Sequence, residues 1–136
     1  MEDINIGIAM AQDQGLIVPV LHRADKMNLL AIAQSLRDLA NKARDGSLSP
    51  DEVARASFTI TSLASFDIDA FTPIIDPPQI AILGVGRVVE KAAVSEGEIA
   101  KRSMMYLSLT FDHRATDGAP AGRFLQAIKR NLEKPG

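Results

Sequence analysis

Residues 79–85, Gln79-Ile80-Ala81-Ile82-Leu83-Gly84-Val85 (QIAILGV), form a continuous apolar run with Pro77-Pro78 before it and Gly86 after it. A run this short, bounded by turn residues and apolar from Ile80 to Val85, reads as a strand covered on both faces, at the centre of a sheet. The segment leading into it, Asp67 to Pro78, holds three prolines and reads as a loop, with Pro77-Pro78 stiff and extended. Beyond it, Arg87–Val94 is expected to continue the strand or pair with it. Ser95-Glu96-Gly97-Glu98 is a hairpin turn, and Ser103–Phe111 is the next strand.

Working outward, Ile4, Ile6, Ile8 and Met10 alternate with smaller or polar residues, which is strand periodicity. The turn Gln12-Asp13-Gln14-Gly15 then leads into Leu16–Val20, so the two strands form a hairpin. Pro19 lacks an N–H donor and marks an edge or a strand end. Residues 28–45 carry Leu29, Ile32, Ala33, Leu36, Leu39, Ala40 and Ala43 at helical spacing, with Asn28 as N-cap and Gly46 at the C-terminal glycine position. Ser49-Pro50-Asp51-Glu52 is a capping box that opens a short helix to about Arg55. Ser57–Ser62 is a β-rich strand, and Ala64-Ser65 belongs to a loop. Ala121, Phe124, Leu125, Ile128 and Leu132 line one face of a C-terminal helix that begins near Gly118. The order ββ, αα, β, ββ, β, α predicts an α+β domain: a mixed, largely antiparallel sheet with helices packed on it.

With 136 residues, 46% of them apolar, the chain is long enough for one domain with its own core. The net charge is −2 and no basic block occurs, which argues against a nucleic-acid partner. There is no cysteine, which excludes disulfides, thiolate metal sites and a cysteine nucleophile, and fits a cytoplasmic setting. The apolar runs are too short to span a membrane, and the N-terminus lacks the pattern of a signal peptide.

Of the two histidines, His113 sits at a strand-to-helix junction, where side chains project from the end of a sheet. Asp117 is placed to cap the helix or to pair with a cation. Gly118 is expected to permit a backbone that a Cβ would forbid. A lone histidine is more often a surface or hydrogen-bonded residue, and an Asp-Gly pair more often a plain turn and cap. His22, beside Arg23, reads as an exposed strand-end residue without a role, and no carboxylate pair gives either histidine metal-ligand spacing. Gly84 and Gly86 are spaced for close packing, not for cradling a phosphate.

The stretch FDHRATDGAPAGRFLQAIKRNLEKP (residues 111–135) resembles the C-terminal end of the catalytic domain of dihydrolipoamide acyltransferases, the core component of 2-oxo acid dehydrogenase complexes. The family's signature there is D-H-R-x-x-D-G, or the same with Asn for the second Asp. NIGIAM with GLIVPVL, LLAIAQSLRDLANKARDGSLSPDEV, FTITSLASF and FTPIIDPPQIAILGVGRV resemble further family blocks in the same order, from about Asn5 to Pro135. The resemblance implies a chloramphenicol-acetyltransferase-like fold, here partial, and trimers that build larger hollow cores. It places the active site between subunits.

His113 is then the general base that takes a proton from the thiol of dihydrolipoamide or coenzyme A. Thr61 falls where the family's T-I-S-N strand carries the serine that donates to the oxyanion. Asp117 is the second acidic position of the signature. Coenzyme A or acyl-CoA and a lipoyl group carried by another domain are the implied substrates, with no metal. The implied partners are a homotrimer or larger core and the other components of the dehydrogenase complex.

The sequence departs from the family at Thr61 for serine, Ser62 for asparagine, Ala64 for glycine, and Asp67 where glycine is common. The resemblance implies that these residues are the C-terminal part of the catalytic domain, with no lipoyl or subunit-binding domain expected among them. The resemblance therefore also raises completion by an upstream partner chain, and, as an alternative function, a non-catalytic oligomeric scaffold derived from the fold.

Overall fold

The computed structural model describes residues 2–135. Among the described residues, nine strands and two α-helices follow in the order β1 (Ile6–Ile8), β2 (Met10–Gln12), β3 (Gly15–Ile17), β4 (Val20–Leu21), α1 (Leu29–Asp45), β5 (Phe58–Ser62), β6 (Ala81–Val85), β7 (Val89–Ser95), β8 (Glu98–Met104), β9 (Leu107–Phe111) and α2 (Gly118–Glu133). Five strands make one sheet in the order β4-β1-β5-β6-β9. Two ribbons, β2-β3 and β7-β8, stand apart from it.

The run at residues 79–85 supplies β6, which lies between β5 and β9 with Ile82, Leu83 and Gly84 buried. β1, β5 and β6 run parallel, whereas β4 and β9 are antiparallel to their neighbours. Both ribbons are antiparallel. The architecture is α+β with a mixed sheet, as the order of elements predicted.

The first hairpin is one structure with a break in it. β1 pairs β4 in the sheet and β2 pairs β3 beyond it, with Pro19 buried at the interruption. Pro19 offers no N–H but its carbonyl accepts from Ile8 N at 2.8 Å, and β4 beyond it is the edge strand.

Two expectations need correction. Residues 87–94 neither continue β6 nor pair with it. Gly86 N bonds to Tyr106 O and Arg87 N to Ile68 O, so the backbone turns out of the sheet, and β7 pairs only with β8. A Cβ on Gly86 would stand 1.7 Å from Asp69 O, so this crossing requires glycine. Residues 103–111 are likewise two strands, parted at Met105-Tyr106.

Helix α1 starts where Asn28 Oδ1 accepts from Ala31 N at 2.8 Å, and ends at Gly46 in the left-handed region, φ 70°. The capping box forms: Ser49 N donates to Glu52 Oε2 at 2.9 Å and Glu52 N to Ser49 Oγ at 3.4 Å. It opens only a 3-10 turn, Pro50–Val53, not a helix to Arg55. Of the α1 stripe, Leu39 and Ala43 are buried while Leu29 is 83% exposed. The bond between Pro77 and Pro78 is cis, not the extended form expected.

Val20, Leu21, Leu39, Ala43, Ile82, Leu83 and Ala121 form the core, where each fully buried Leu, Ile or Val is worth about 1.5–3 kcal/mol. Among the described residues, Thr59, 2% exposed, is the buried polar one, and its Oγ1 donates to Gln79 Oε1 at 2.7 Å. Phe58 meets Phe124 of α2 edge-on, ring centres 5.7 Å apart, which puts α2 on the Phe58 face of β5. Thr59 and Thr61 point to the opposite face, in register with Ile82 and Gly84. There the loop after β5 crosses the sheet: Thr110 Oγ1 donates to Pro73 O at 2.6 Å, and a Cβ on Gly84 would sit 3.1 Å from the Phe71 ring.

Candidate active site

β9 ends at Phe111, and the chain turns at once. Asp112 N donates to Ile80 O at 2.8 Å, extending the β6–β9 register by one step. Asp112 O then accepts from Ala115 N at 3.0 Å and Thr116 N at 3.2 Å, which closes a tight turn around His113. The imidazole projects from this turn at the sheet's end, 73% exposed, with its ring centre 5.7 Å from that of Phe111.

His113 Nδ1 lies 3.6 Å from Asp117 Oδ1, an ion-pair distance longer than a hydrogen bond. Asp117 occupies the N-cap position of α2, with φ −95° and ψ 169°, and its side chain makes no capping hydrogen bond. Among the described residues, its ionic neighbour is His113. Arg114, the other basic side chain of the turn, is engaged elsewhere: its Nη2 donates to Asp112 Oδ2 at 2.7 Å and its Nε to Asp112 Oδ1 at 3.0 Å. Those bonds, led by the guanidinium and followed by the Arg114 backbone N–H, hold the Asp112 carboxyl at about 2, below the usual carboxylate range. Gly118 is not needed for its conformation: a Cβ there would meet open space and its φ is not positive.

Thr61 is on β5, half-buried, one residue before the strand's end. It registers with Gly84, which registers with Ser108. His113 follows Asp112, which lies beside Ile80. Thr61 is therefore at the carboxyl end of β6 and His113 beyond its amino end. Thr61 and Asp112, the residue before His113, are separated by about 13 Å along the strands and about 10 Å across them. Within one chain the structure brings His113 and Asp117 together and leaves Thr61 apart.

The altered loop after Thr61 has its own structure. Ser62 Oγ donates to Val85 O at 3.0 Å and accepts from Ala64 N at 3.2 Å, and residues Ala64–Phe66 make a 3-10 turn. Asp67 ends that turn with φ 60°, which explains why glycine suits the position, and its carboxylate lies 3.5 Å from Arg87 Nη1. Arg87 also pairs with Asp69 at 2.5 Å, and this bond holds the Asp69 carboxyl below its ordinary value. The sequence signals that ion-pair cluster beside the Thr61 loop only through the charges of Asp67, Asp69 and Arg87.

His22 is not simply exposed: its ring Nε2 lies 2.8 Å from Asp51 O, tying β4 to the 3-10 turn. A groove of about 610 Å³ runs between Ser103–Leu107 and α2, and another of about 640 Å³ between the β2-β3 ribbon and the end of α1; neither includes Thr61, His113 or Asp117. Among the described residues, no three His, Cys, Asp or Glu side chains group as metal ligands, and no helix is long and apolar enough to cross a membrane.

A strand-end histidine with a carboxylate four residues on thus stands at the end of β9, the edge strand of a mixed sheet. The chain belongs to the family of 2-oxoacid dehydrogenase acyltransferases (catalytic domain), which matches residues 1–136. It is 48% identical over 131 residues to the dihydrolipoyllysine-residue acetyltransferase component of the pyruvate dehydrogenase complex of Bacillus subtilis, across 96% of this chain and 30% of that protein. The chain thus spans about a third of the length of the curated relatives it matches.

Two solved structures share its fold. Azotobacter vinelandii dihydrolipoamide acetyltransferase superposes with a TM-score of 0.92 at 39% identity, covering 98% of this chain and 55% of that one. The cubic core of the pyruvate dehydrogenase multienzyme complex gives 0.93 at 38%, again covering 98% and 55%. The Azotobacter enzyme was studied for a serine, a histidine and an asparagine in its catalytic mechanism. Its serine precedes the histidine by 52 positions and its asparagine follows by four. The same spacings separate Thr61 from His113 and His113 from Asp117.

Proposed function

We propose that this chain carries the acyl-transfer site of a dihydrolipoamide acyltransferase, moving an acyl group between dihydrolipoamide and coenzyme A. The observation that carries the reading is the exposed His113 at the end of β9 with Asp117 Oδ1 3.6 Å from its Nδ1. A carboxylate on that side favours a proton on Nδ1 and leaves Nε2 to act as base. Thiols titrate near about 8.5 and imidazole near about 6.5, so a positioned neutral imidazole takes a thiol proton near neutral pH.

The thiol sulfur loses its proton to Nε2 and attacks the thioester carbonyl carbon, forming a carbon–sulfur bond and an oxyanion. The Thr61 hydroxyl donates to that oxygen. Collapse expels the second sulfur as a thiolate, which recovers the proton from the imidazolium.

Because Thr61 lies far from His113 of its own chain, the donor is the Thr61 of a neighbouring chain, and the site forms at a seam within a trimer or larger core. Exposed apolar side chains support assembly: Ile74 is 87%, Leu29 83% and Ile99 81% exposed. Coenzyme A and a lipoyl group borne on another domain are the substrates, the other dehydrogenase components are partners, and the cytoplasm is the setting.

The test is His113→Asn. Transfer from acetyl-CoA to dihydrolipoamide falls by about 10²–10⁴-fold while circular dichroism and particle mass stay those of the parent. An unchanged rate leaves the second reading, a non-catalytic oligomeric scaffold, which the same exposed apolar side chains favour.

A further inference from the structure

We infer that Asp112 and Arg114 are a positioning pair that clamps the His113 turn, so that the imidazole is held in one orientation and the neighbouring guanidinium is neutralised. The inference rests on the reading of His113 as the base. The clamp encloses a single residue. Asp112 Oδ1 accepts from Arg114 N at 2.9 Å and from Nε at 3.0 Å, and Oδ2 from Nε at 3.2 Å and Nη2 at 2.7 Å. Both carboxylate oxygens are thus given to the residue just past the histidine, in the bidentate geometry that fixes a planar guanidinium. Asp112 is itself fixed to the sheet through Ile80 O, so the clamp ties the turn to β6 and not merely to itself.

Stability does not explain the pair. Arg114 is 91% exposed, and exposed ion pairs contribute little to folding. Two other consequences are specific to His113. The turn is held at both flanks of the histidine, which narrows the arc the ring sweeps. Within the chain, the charges of Asp112 and Arg114, which flank the histidine in sequence, cancel, so that Asp117 at the start of α2 is its ionic neighbour, with the uncharged Phe111 ring of β9 on another side. An unpaired guanidinium there would disfavour the imidazolium that forms during transfer.

Asp112→Asn and Arg114→Gln test this in opposite directions. The background is His22→Gln, which leaves one imidazole to follow by NMR in the assembled protein. Asp112→Asn frees the Arg114 cation and lowers the titration midpoint of His113; Arg114→Gln frees the Asp112 anion and raises it; the double variant returns it toward the parent. A purely structural role would not give opposed shifts. Each single variant lowers kcat for acetyl transfer about tenfold or more with KM unchanged, because the ring is less well held. Midpoints that do not separate, or unchanged kcat in both variants, overturn the clamp. The reading of His113 as base fails separately, if His113→Asn transfers at the parent rate. The opposed midpoints report on the clamp in either event.

Discussion

Thr61 and His113 stand at opposite ends of the same sheet: Thr61 registers with Gly84 near the end of β6, while Asp112, next to His113, bonds to Ile80 just before its start. A hydroxyl so placed serves the reaction only by meeting the histidine of another chain. Thr61→Ser keeps the hydroxyl and removes a methyl that restricts χ1, so acetyl transfer is preserved or faster. Thr61→Ala removes the donor and lowers kcat by about 10²-fold or more. Steady-state kinetics on both variants decide, and an unchanged rate in Thr61→Ala removes Thr61 from the mechanism.

Asp117 separates two roles that one residue type serves. Its side chain makes no capping bond, so Asp117→Ala costs less than the ~1 kcal/mol of a lost cap, as read from urea midpoints. Its carboxylate faces His113, so the same substitution slows transfer roughly fivefold to tenfold. A large stability loss with an unchanged rate would return Asp117 to the helix and away from the chemistry.

Acid stability follows from paired carboxylates. Arg114 holds Asp112 at about 2, and Arg87 and Lys42 hold Asp69 and Glu52 below their ordinary values. A carboxyl lowered in the folded state gives stability that is present above its unfolded value near 4 and is lost as pH falls toward 2. Urea midpoints should be level from pH 7 to 5 and drop between pH 4 and 2. Because Arg114 is 91% exposed, Asp112→Asn should shrink that drop only slightly. Equal midpoints for the parent at pH 6 and pH 2.5 would contradict the pairing.

Much of this was legible in local sequence. The QIAILGV run, the Asn28 and Gly46 ends of α1 and the Ser49–Glu52 box all depend on neighbours within a turn or two, and each appears in the structure, whereas on the α2 face Ala121 is buried but Phe124 and Leu132 stand exposed. What failed depends on distant partners. Arg87–Val94 looked like part of the sheet, but Ile68 O takes the Arg87 N–H and the strand leaves as a ribbon. Ser103–Phe111 looked continuous, but Tyr106 O is spent on Gly86 N and the strand breaks. The His113–Asp117 contact could be anticipated from a four-residue spacing. The distance between Thr61 and His113 could not, because it is set by β5 running parallel and β9 antiparallel to the strand between them.

A site shared between chains makes one demand that a site within a chain does not. Coexpressed His113→Asn and Thr61→Ala chains, each nearly inactive alone, should form mixed assemblies in which some seams hold an intact His113 against an intact Thr61. With random mixing, about a quarter of the sites are whole, and acetyl transfer returns to about that fraction of the parent rate. Recovery to that level is the predicted result. Mixed assemblies of verified composition that stay as inactive as either variant alone would contradict the shared site.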